Sequence, residues 1–396
     1  MNFESLSLEN YIFLGALVLF IIQLIYFLAL YSQLIRNRKA SIKGKTSYDE
    51  SYPPLSIIIS ADDATEKLAK QLPLLLEQDY PQYEVIVIND STDSSEDEST
   101  DELLESLKTQ YNHLYFSFTP KTARYISRKK LSLTLGVKAS HYEWIVFTEP
   151  GYCPTSNQWL KNIARNFTPS TDIVLGYGNF KEVNNWKNKK MIYDSSFDAI
   201  RYLSLAISKK PYKGYGKNLA YRKELFYQLK GYSSHLNLLR GEDDLFINQT
   251  VSSTNTRVEL SPESILTYDF KDQNHYWKNE KQNYILSSFF YKGKQKYALG
   301  FETFTRVFFY ITIVGGISWT IYIQNFIGSG LFAGLWFLRF FTQSYIINKS
   351  IHILGYKRNY ILSLPILDFW HPLFNSRFKT KLLFKGKRDY MRKGNK

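Results

Sequence analysis

The chain has 396 residues, of which 44% are hydrophobic, with 50 lysines and arginines against 36 acidic residues. This length predicts one or two domains with a sizeable core, and the single Cys153 excludes a disulfide framework, which suits a reducing compartment. The net charge of +14 would suit nucleic acid or an anionic membrane, but the basic stretches 36–45 and 375–396 adjoin apolar segments, so we expect a membrane partner and no nucleic acid.

The first element is an uncharged apolar run, YIFLGALVLFIIQLIYFLAL, at residues 11–30. Its length matches the ~20 residues that a membrane-spanning helix needs. A cleaved signal peptide is the alternative, but the preceding residues are acidic and no convincing small-residue cleavage site follows. Arg36, Arg38 and Lys39 come directly after the run, which places the next domain in the cytoplasm by the positive-inside rule. Residues 1–50 are therefore predicted to form an N-terminal transmembrane anchor and a basic linker.

Residues 51–300 are predicted to form a cytoplasmic α/β domain. Short apolar runs typical of buried parallel strands alternate here with helical patterns. The strand-like runs are LSIIIS (55–60), EVIVIND (84–90), HLYFSF (113–118) and EWIVFT (143–148), and the helical ones are ATEKLAKQLPLLLEQ (64–78) and KKLSLTLGVKAS (129–140). This alternation predicts a doubly wound α/β sheet.

Two of the predicted strands lead directly into acidic residues, Asp90 and Glu149. Ligands bind beyond the carboxyl ends of the strands in such sheets, so both acids would point into one crevice. An acid at a strand end is also common as a helix cap or turn residue, and this structural role stays open.

A third group of acids lies in RGEDDLFINQTVSS, at residues 240–253, which is predicted to open a helix. The helix dipole favours one or two acids in a first turn, so capping alone could explain part of the group. Three consecutive acids, Glu242, Asp243 and Asp244, exceed that need and favour a functional site.

Residues 301–350 are predicted to form a transmembrane helical hairpin. Its two apolar runs are VFFYITIVGGISWTIYI (307–323) and GLFAGLWFLRFFTQSYII (330–347). Arg339 lies inside the second run and is costly on a lipid-facing helix, so either it faces a partner helix or the helix ends sooner.

Residues 351–396 are predicted to form an interfacial helix and a basic tail. The segment YILSLPILDFWHPLF (360–374) is short and contains two prolines, Asp368 and His371. These features suit a helix lying in the membrane interface better than a spanning one.

Taken in order, these features resemble family-2 glycosyltransferases with the GT-A fold, especially bacterial membrane-anchored members. The matching segments are PPLSIIISADDATEKLAKQLPLLLEQDYPQYEVIVINDSTDSSED, RKKLSLTLGVKAS, FTEPGYCPTSNQWL, GKNLAYRKELF and GEDDLF. The resemblance covers residues about 53 to 300 and the layout of the apolar helices. It implies a GT-A-like doubly wound sheet with one N-terminal and about two C-terminal transmembrane helices, held at the inner membrane with the soluble domain in the cytoplasm.

The resemblance implies an inverting transferase that moves a sugar from a nucleotide-diphosphate donor to an acceptor hydroxyl. The donor nucleotide would lie against Asp90, Ser60 and Asp62. The catalytic base would be Asp243, with Asp244 as the runner-up because the register is uncertain by one residue, and Glu242 would lie beside them. A glycan or lipid-linked acceptor and the membrane are the other implied partners, with a sister transferase as a further candidate.

The resemblance also implies a divalent cation, Mg²⁺ or Mn²⁺, on the diphosphate leaving group. Glu149 is the residue that would hold it. Asn218 and Lys281 would lie on the acceptor and diphosphate side of the site.

The sequence departs from the family's pattern where the chemistry would occur. In the Asp-x-Asp motif Glu149 takes the first position and Gly151, which has no side-chain ligand, takes the second. In the Gln-x-x-Arg-Trp motif the positions hold Glu280, Asn283 and Tyr284, so the arginine near the diphosphate is missing, and Tyr284 is expected to pack at the membrane interface. Losing one preorganised group can cost about a hundredfold in rate. The alternative is therefore a catalytically impaired pseudo-glycosyltransferase that acts as a binding or scaffold partner at the membrane.

Overall fold

A mixed α/β domain forms the centre of the computed structural model, which describes residues 8–90, 94–120 and 127–385. Its strands are β1 (Leu55–Ala61), β2 (Tyr83–Asn89), β3 (Leu114–Phe118), β4 (Trp144–Phe147), β5 (Tyr152–Pro154), β6 (Ile173–Leu175), β7 (Gly178–Phe180), β8 (Leu219–Arg222), β9 (Thr256–Val258) and β10 (Leu266–Tyr268). Among the described residues, seven strands form the main sheet in the order β3-β2-β1-β4-β8-β6-β9, and β5-β10-β7 form a small second sheet.

The helices surround these sheets and continue into a bundle at the ends of the chain. They are α1 (Leu8–Ile25), α2 (Gln33–Ile42), α3 (Thr65–Leu76), α4 (Ser94–Lys108), α5 (Arg128–Ala139), α6 (Trp159–Ala164), α7 (Trp186–Ile207), α8 (Lys223–Gln228), α9 (Asp244–Thr250), α10 (Gln273–Ser287), α11 (Gln295–Tyr322), α12 (Phe326–Ile353) and α13 (Leu364–Lys385). A π-helical segment, Tyr26–Tyr31, joins α1 to α2.

The four strands predicted in the N-terminal half are confirmed, and all of them run parallel. β1 lies at the middle of this group, pairing with β2 on one side and β4 on the other, and β2 pairs with β3. Ile57, Ile58 and Ile59 are completely buried, as expected of a strand that is covered on both faces. The expected doubly wound sheet is corrected in one respect, because β8 runs antiparallel to both β4 and β6 and makes the sheet mixed.

Helix α5 packs closely against the parallel strands and so brings its first turn to their carboxyl ends. A Cβ atom on Gly136 would lie 2.6 Å from Cγ2 of Ile58, so only glycine allows this approach. Ser127 caps the helix by accepting a hydrogen bond from the backbone amide of Lys130. The side chains of Arg128 and Lys129 therefore start from the edge of the sheet where Asp90 and Glu149 lie.

Two helices in the described part of the chain are long and apolar enough to cross a membrane. The most apolar 18-residue stretch of the continuous helix Leu8–Ile42 has a mean hydropathy of 2.7, and that of Gln295–Tyr322 has 1.4. The second C-terminal span predicted at 330–347 is not among them, because Arg339 and Gln343 interrupt the apolar run of α12. The C-terminal residues 386–396 of the predicted basic tail lie outside the described residues.

Arg339 does face partner helices. Its guanidinium donates to Oδ2 of Asp368 on α13 at 2.9 Å and to Oε1 of Gln23 on α1 at 3.2 Å. Arg306 on α11 donates to the other oxygen of Asp368, also at 2.9 Å. Both carboxylate oxygens of Asp368 are thus paired in a fully buried setting. The helix predicted to lie in the interface is tied by this carboxylate to α11 and α12, and its place in the membrane interface stays a prediction.

Candidate functional site

A narrow cleft lies at the carboxyl ends of β1 and β4, between α5 and the segment that leads into α9. Its lining residues are Ser60, Lys129, Leu133, Phe147, Thr148, Glu149, Gly216, Leu219, Tyr221, Tyr232, Glu242 and Asp243. The cavity measures about 20 Å³, which is room for roughly one water molecule. A larger ligand would extend out of this volume toward solvent or displace lining side chains.

Asp90 follows β2 and is bound from the first turn of α5. Arg128 lies 2.9 Å from its Oδ1 atom, and the Asp90 side chain is almost completely buried. Burial raises the pKa of Asp90, and Arg128 opposes that shift. Asp62 lies near this pair, and the partial burial of its carboxyl together with the charge of Asp63 raises its pKa, which Arg128 opposes. Of the three residues expected to bind the nucleotide, Ser60 alone lines the cleft.

Glu149 lies two residues after β4, with donors on both carboxylate oxygens. Lys129 donates to Oε1 at 2.6 Å, and the Tyr276 hydroxyl donates to Oε2. Burial alone would raise the pKa of Glu149, but Lys129 and Lys217 hold it below its usual value. Glu149 is therefore an ionised carboxylate with a fixed ammonium partner.

The side chain of Gln71 on α3 binds the backbone of the loop that carries Glu149. The amide of Gln71 donates to the carbonyl of Glu149 at 3.0 Å and to that of Tyr152 at 2.8 Å, and its oxygen accepts from the amide of Gly151 at 3.2 Å. Gly151 has a φ of +90°, a backbone conformation that favours glycine. One buried side chain thus fixes the backbone on both sides of the unusual glycine.

Replacing Gln71 with leucine is expected to lower the free energy of unfolding by ~1–3 kcal/mol, because the substitution leaves buried backbone groups without partners. Chemical denaturation would measure this loss. Gln110→Leu is the control, because Gln110 is exposed on the surface. Equal stabilities of the two variants would show that the loop does not depend on Gln71.

Lys129 links two acids that are distant in sequence. Besides Glu149, its ammonium lies 3.1 Å from Oε1 of Glu242. Arg240 also donates to that oxygen, at 3.2 Å. Burial would raise the pKa of Glu242, but Lys129 and Arg240 hold it well below its usual range. Sequence reasoning missed Lys129. Adjacent basic residues in the first turn of a helix are unfavourable with the helix dipole, and this feature was the signal that could have indicated a functional role.

Asp243 points into the cleft and is held by three donors. Its Oδ2 accepts from the amide of Gly216 at 2.8 Å and from the Tyr284 hydroxyl at 2.6 Å, and its Oδ1 accepts from the amide of Asp244 at 2.7 Å. Burial, followed by the charges of Asp244 and Glu242, raises the pKa of Asp243 to about 7. Tyr284, which was expected to pack at the membrane interface, instead helps to position this carboxylate.

Asp244 has a different environment from its neighbour. It is completely buried, and its Oδ2 accepts from the hydroxyls of Ser287 and Tyr291, the latter at 2.5 Å. Its Oδ1 accepts from the amide of Leu245 at 2.8 Å. These bonds join α9 to the end of α10, so Asp244 occupies a structural position and does not line the cleft.

Two other predicted site residues make contacts away from the cleft lining. Asn218 is buried and donates to the carbonyls of Tyr177 at 3.1 Å and Ser264 at 2.8 Å. Lys281 lies on another face of α10, where it pairs with Asp194 on α7. The face of α10 turned to the cleft carries Tyr276 and Tyr284, which contact Glu149 and Asp243 respectively.

Lys217 is a second cation at the site that sequence reasoning missed. It is buried, and its ammonium has no hydrogen-bond partner among the described residues. Five aromatic rings surround it at centroid distances of 5.4 to 5.9 Å; they belong to Tyr152, Phe180, Tyr215, Tyr276 and Tyr284. Such rings stabilise a cation without neutralising it. Lys217 therefore contributes positive charge between the tyrosines that hold Glu149 and Asp243.

The side chains around Glu149 do not fit a divalent cation. Both oxygens of Glu149 already accept hydrogen bonds, one from the ammonium of Lys129. A Cβ at Gly151 would lie 2.8 Å from the Tyr268 ring, so a second acid has no room there. Within the described ranges, no group of three histidine, cysteine or acidic residues could hold a metal ion. The Mg²⁺ or Mn²⁺ site expected at Glu149 is therefore not formed by these side chains.

Comparison with known proteins identifies a shared fold. No family model matches the chain, and no curated protein matches it. Among solved structures, the chain is similar to the mannosyltransferase PcManGT from Pyrobaculum calidifontis, described in complex with GDP-Man and Mn²⁺. The TM-score is 0.51 at 14% sequence identity, and the match covers 91% of this chain and 99% of the other. At this identity, the similarity establishes that the two chains share a fold.

Proposed function

We propose that the protein is a membrane-bound, inverting glycosyltransferase of the GT-A type that uses a nucleotide-diphosphate sugar. The observation that carries the proposal is Asp243, a buried carboxylate with a pKa near 7 in a cleft at the carboxyl ends of the strands. Its neighbours in that cleft are Glu149 and Lys129. The fold shared with PcManGT over most of both chains supports the same reading.

In the proposed reaction, Asp243 acts as the general base. Its carboxylate takes the proton from an acceptor hydroxyl while that oxygen forms a bond to the anomeric carbon of the donor sugar. The bond from that carbon to the nucleoside diphosphate breaks, and the diphosphate leaves with the electron pair. Gly216 and Tyr284 hold Asp243 in place for this step. Asp90 would lie toward the nucleotide.

The proposed location is the inner membrane, with the α/β domain in the cytoplasm. The apolar helices Leu8–Ile42 and Gln295–Tyr322 support an anchored protein. Many of their apolar side chains are exposed, including Leu14, Val18 and Ile311, as suits lipid contact.

A second cavity supports a lipid-linked acceptor. It measures about 300 Å³, lies between α7 and α13, and has aromatic walls that include Trp186, Trp370 and Phe374. Lys190 and Arg377 also line it, so an apolar chain with an anionic head would find complementary groups there.

The rate of transfer is expected to depend on the ionisation of Asp243. The base acts as a carboxylate, so kcat/KM should rise with pH through an apparent pKa near 7 and fall below it. An initial-rate profile from pH 5 to 9, measured with subsaturating donor, tests this. A flat profile across that range would count against Asp243 as the base.

Release of nucleoside diphosphate is the direct test of the proposed function. Full-length protein purified in detergent is incubated with a panel of nucleotide sugars and a membrane lipid extract. The proposal predicts acceptor-dependent release from at least one donor. The narrow cleft and the missing acid at Gly151 favour a pseudo-glycosyltransferase as the second candidate. That candidate predicts no release from any donor, together with co-purification of a partner transferase.

A further inference from the structure

The ammonium group of Lys129 occupies the position beside Glu149 where the sequence resemblance places a metal ion. It lies 2.6 Å from Glu149 and 3.1 Å from Glu242, so two carboxylates hold it in place. An ammonium has three donor hydrogens. Two of them point to these acids, which leaves the third for a ligand in the cleft that Lys129 lines.

Lys217 adds a second cation close to the same carboxylate. Its ammonium lies 5.7 Å from the ring centroid of Tyr276, the residue whose hydroxyl binds Glu149. It also lies 5.9 Å from the ring of Tyr284, which holds Asp243. It makes no hydrogen bond to a described residue, so its donor hydrogens can reach an anion, but the nearby buried carboxyls of Glu149 and Glu280 also interact with its charge. Lys129 lies on α5, whereas Lys217 lies in the segment before β8.

We infer that Lys129 and Lys217 form a metal-independent diphosphate site, in which two ammonium groups supply the positive charge that a divalent cation would otherwise provide. This inference rests on the proposed function and names the part of the site that binds the leaving group. The diphosphate takes the free donors of both lysines, and Glu149 holds Lys129 in position. Departure of the diphosphate is assisted by charge that is already in place before the donor binds.

Metal dependence of nucleotide binding in the unaltered protein tests the inference. Isothermal titration calorimetry of the full-length protein would measure the affinity for GDP and UDP in EDTA and again with Mn²⁺. We expect at least one of them to bind in EDTA, with a change of about twofold or less on adding Mn²⁺. Binding that appears only with Mn²⁺ would overturn the metal-independent site and leave the proposed function standing. Binding in neither condition would overturn both.

Variants at Lys129 test whether its ammonium group binds the diphosphate. Lys129→Met removes the charge while keeping the length, and we expect a loss of about 10- to 100-fold in diphosphate affinity. Affinity for the nucleoside monophosphate should change much less, and Lys129→Arg should recover part of the loss. Lys138→Met is the matched control, since Lys138 is exposed on the same helix. Equal losses for the monophosphate and the diphosphate would show that Lys129 acts only on the fold, which contradicts the inference.

Discussion

Asp243→Asn is expected to reduce sugar transfer by about 10²- to 10⁴-fold while leaving the protein folded. Asparagine keeps the shape of the side chain and can still accept from Gly216 and Tyr284, but it cannot take a proton from the acceptor. Burial and the neighbouring acids raise the pKa of Asp243, so its ionised form destabilises the fold above pH 7. The amide of Asp244 loses its acceptor in this variant, which opposes that gain, so the variant should unfold close to the temperature of the unaltered protein when both are measured at pH 8.

Asp244→Asn provides the comparison for this prediction. Asp244 is held by Ser287, Tyr291 and the amide of Leu245, and it does not line the cleft. We expect this variant to lose thermal stability while the surviving folded protein keeps more turnover than Asp243→Asn. Release of nucleoside diphosphate per folded molecule separates the two. If Asp244→Asn were inactive and Asp243→Asn active, the base would be Asp244.

Asp368→Asn is expected to destabilise the helical bundle by ~3–5 kcal/mol, the usual cost of removing one partner from a buried ion pair. The substitution leaves the buried guanidiniums of Arg306 and Arg339 without their shared carboxylate. The helices α11, α12 and α13 meet at this carboxylate, so they should separate at a lower temperature. Thermal unfolding of the purified protein in detergent measures the effect.

Asp79→Asn is the matched control for the buried pair. Asp79 pairs with Lys161 at 2.7 Å on the surface, where its side chain is 53% exposed. Surface pairs of this kind contribute little to stability, so this variant should unfold close to the unaltered protein. Similar unfolding temperatures for both variants would show that the carboxylate of Asp368 does not hold the bundle together.

Many elements of the α/β core were predictable because each one has a clear pattern in its own short stretch of sequence. The runs that became β1 and β2 are continuous apolar stretches, and α3 and α5 follow helical patterns between parallel strands. The direction of β8 was not predictable, because a strand of four residues takes its orientation from partners far away in sequence. The small sheet β5-β10-β7 depends on long-range pairing in the same way.

The acids of the candidate site were readable from the sequence, whereas their cationic partners were not. Asp90 and Glu149 stand directly beyond β-rich runs, and that position alone drew notice to them. Lys129 is 20 residues from Glu149, and its second partner, Glu242, is much further along the chain. Of the five rings around Lys217, only that of Tyr215 is close in sequence, and the other four come from distant segments. Residues whose roles depend on distant partners require the fold before they can be recognised.

The charged residues of the helical bundle also depend on partners that are distant in sequence. Arg339 and Asp368 each lie within an apolar segment, where an unpaired charge is costly on a lipid-facing helix. In the structure they neutralise each other at 2.9 Å, with Arg306 on the remaining oxygen. The pairing explains why α12 and α13 can bury charged residues that their own sequences leave unexplained.

A structure of the full-length protein with a bound nucleoside diphosphate tests the central claim most directly, namely that the cleft beside Glu149 receives the donor. Crystals or cryo-EM samples would be prepared with GDP or UDP, once in EDTA and once with Mn²⁺. The account predicts phosphate density against Lys129 and Lys217 in both samples, with the base and ribose toward Asp90. A nucleotide bound elsewhere on the molecule, or a cleft left unchanged at saturating nucleotide, would contradict it.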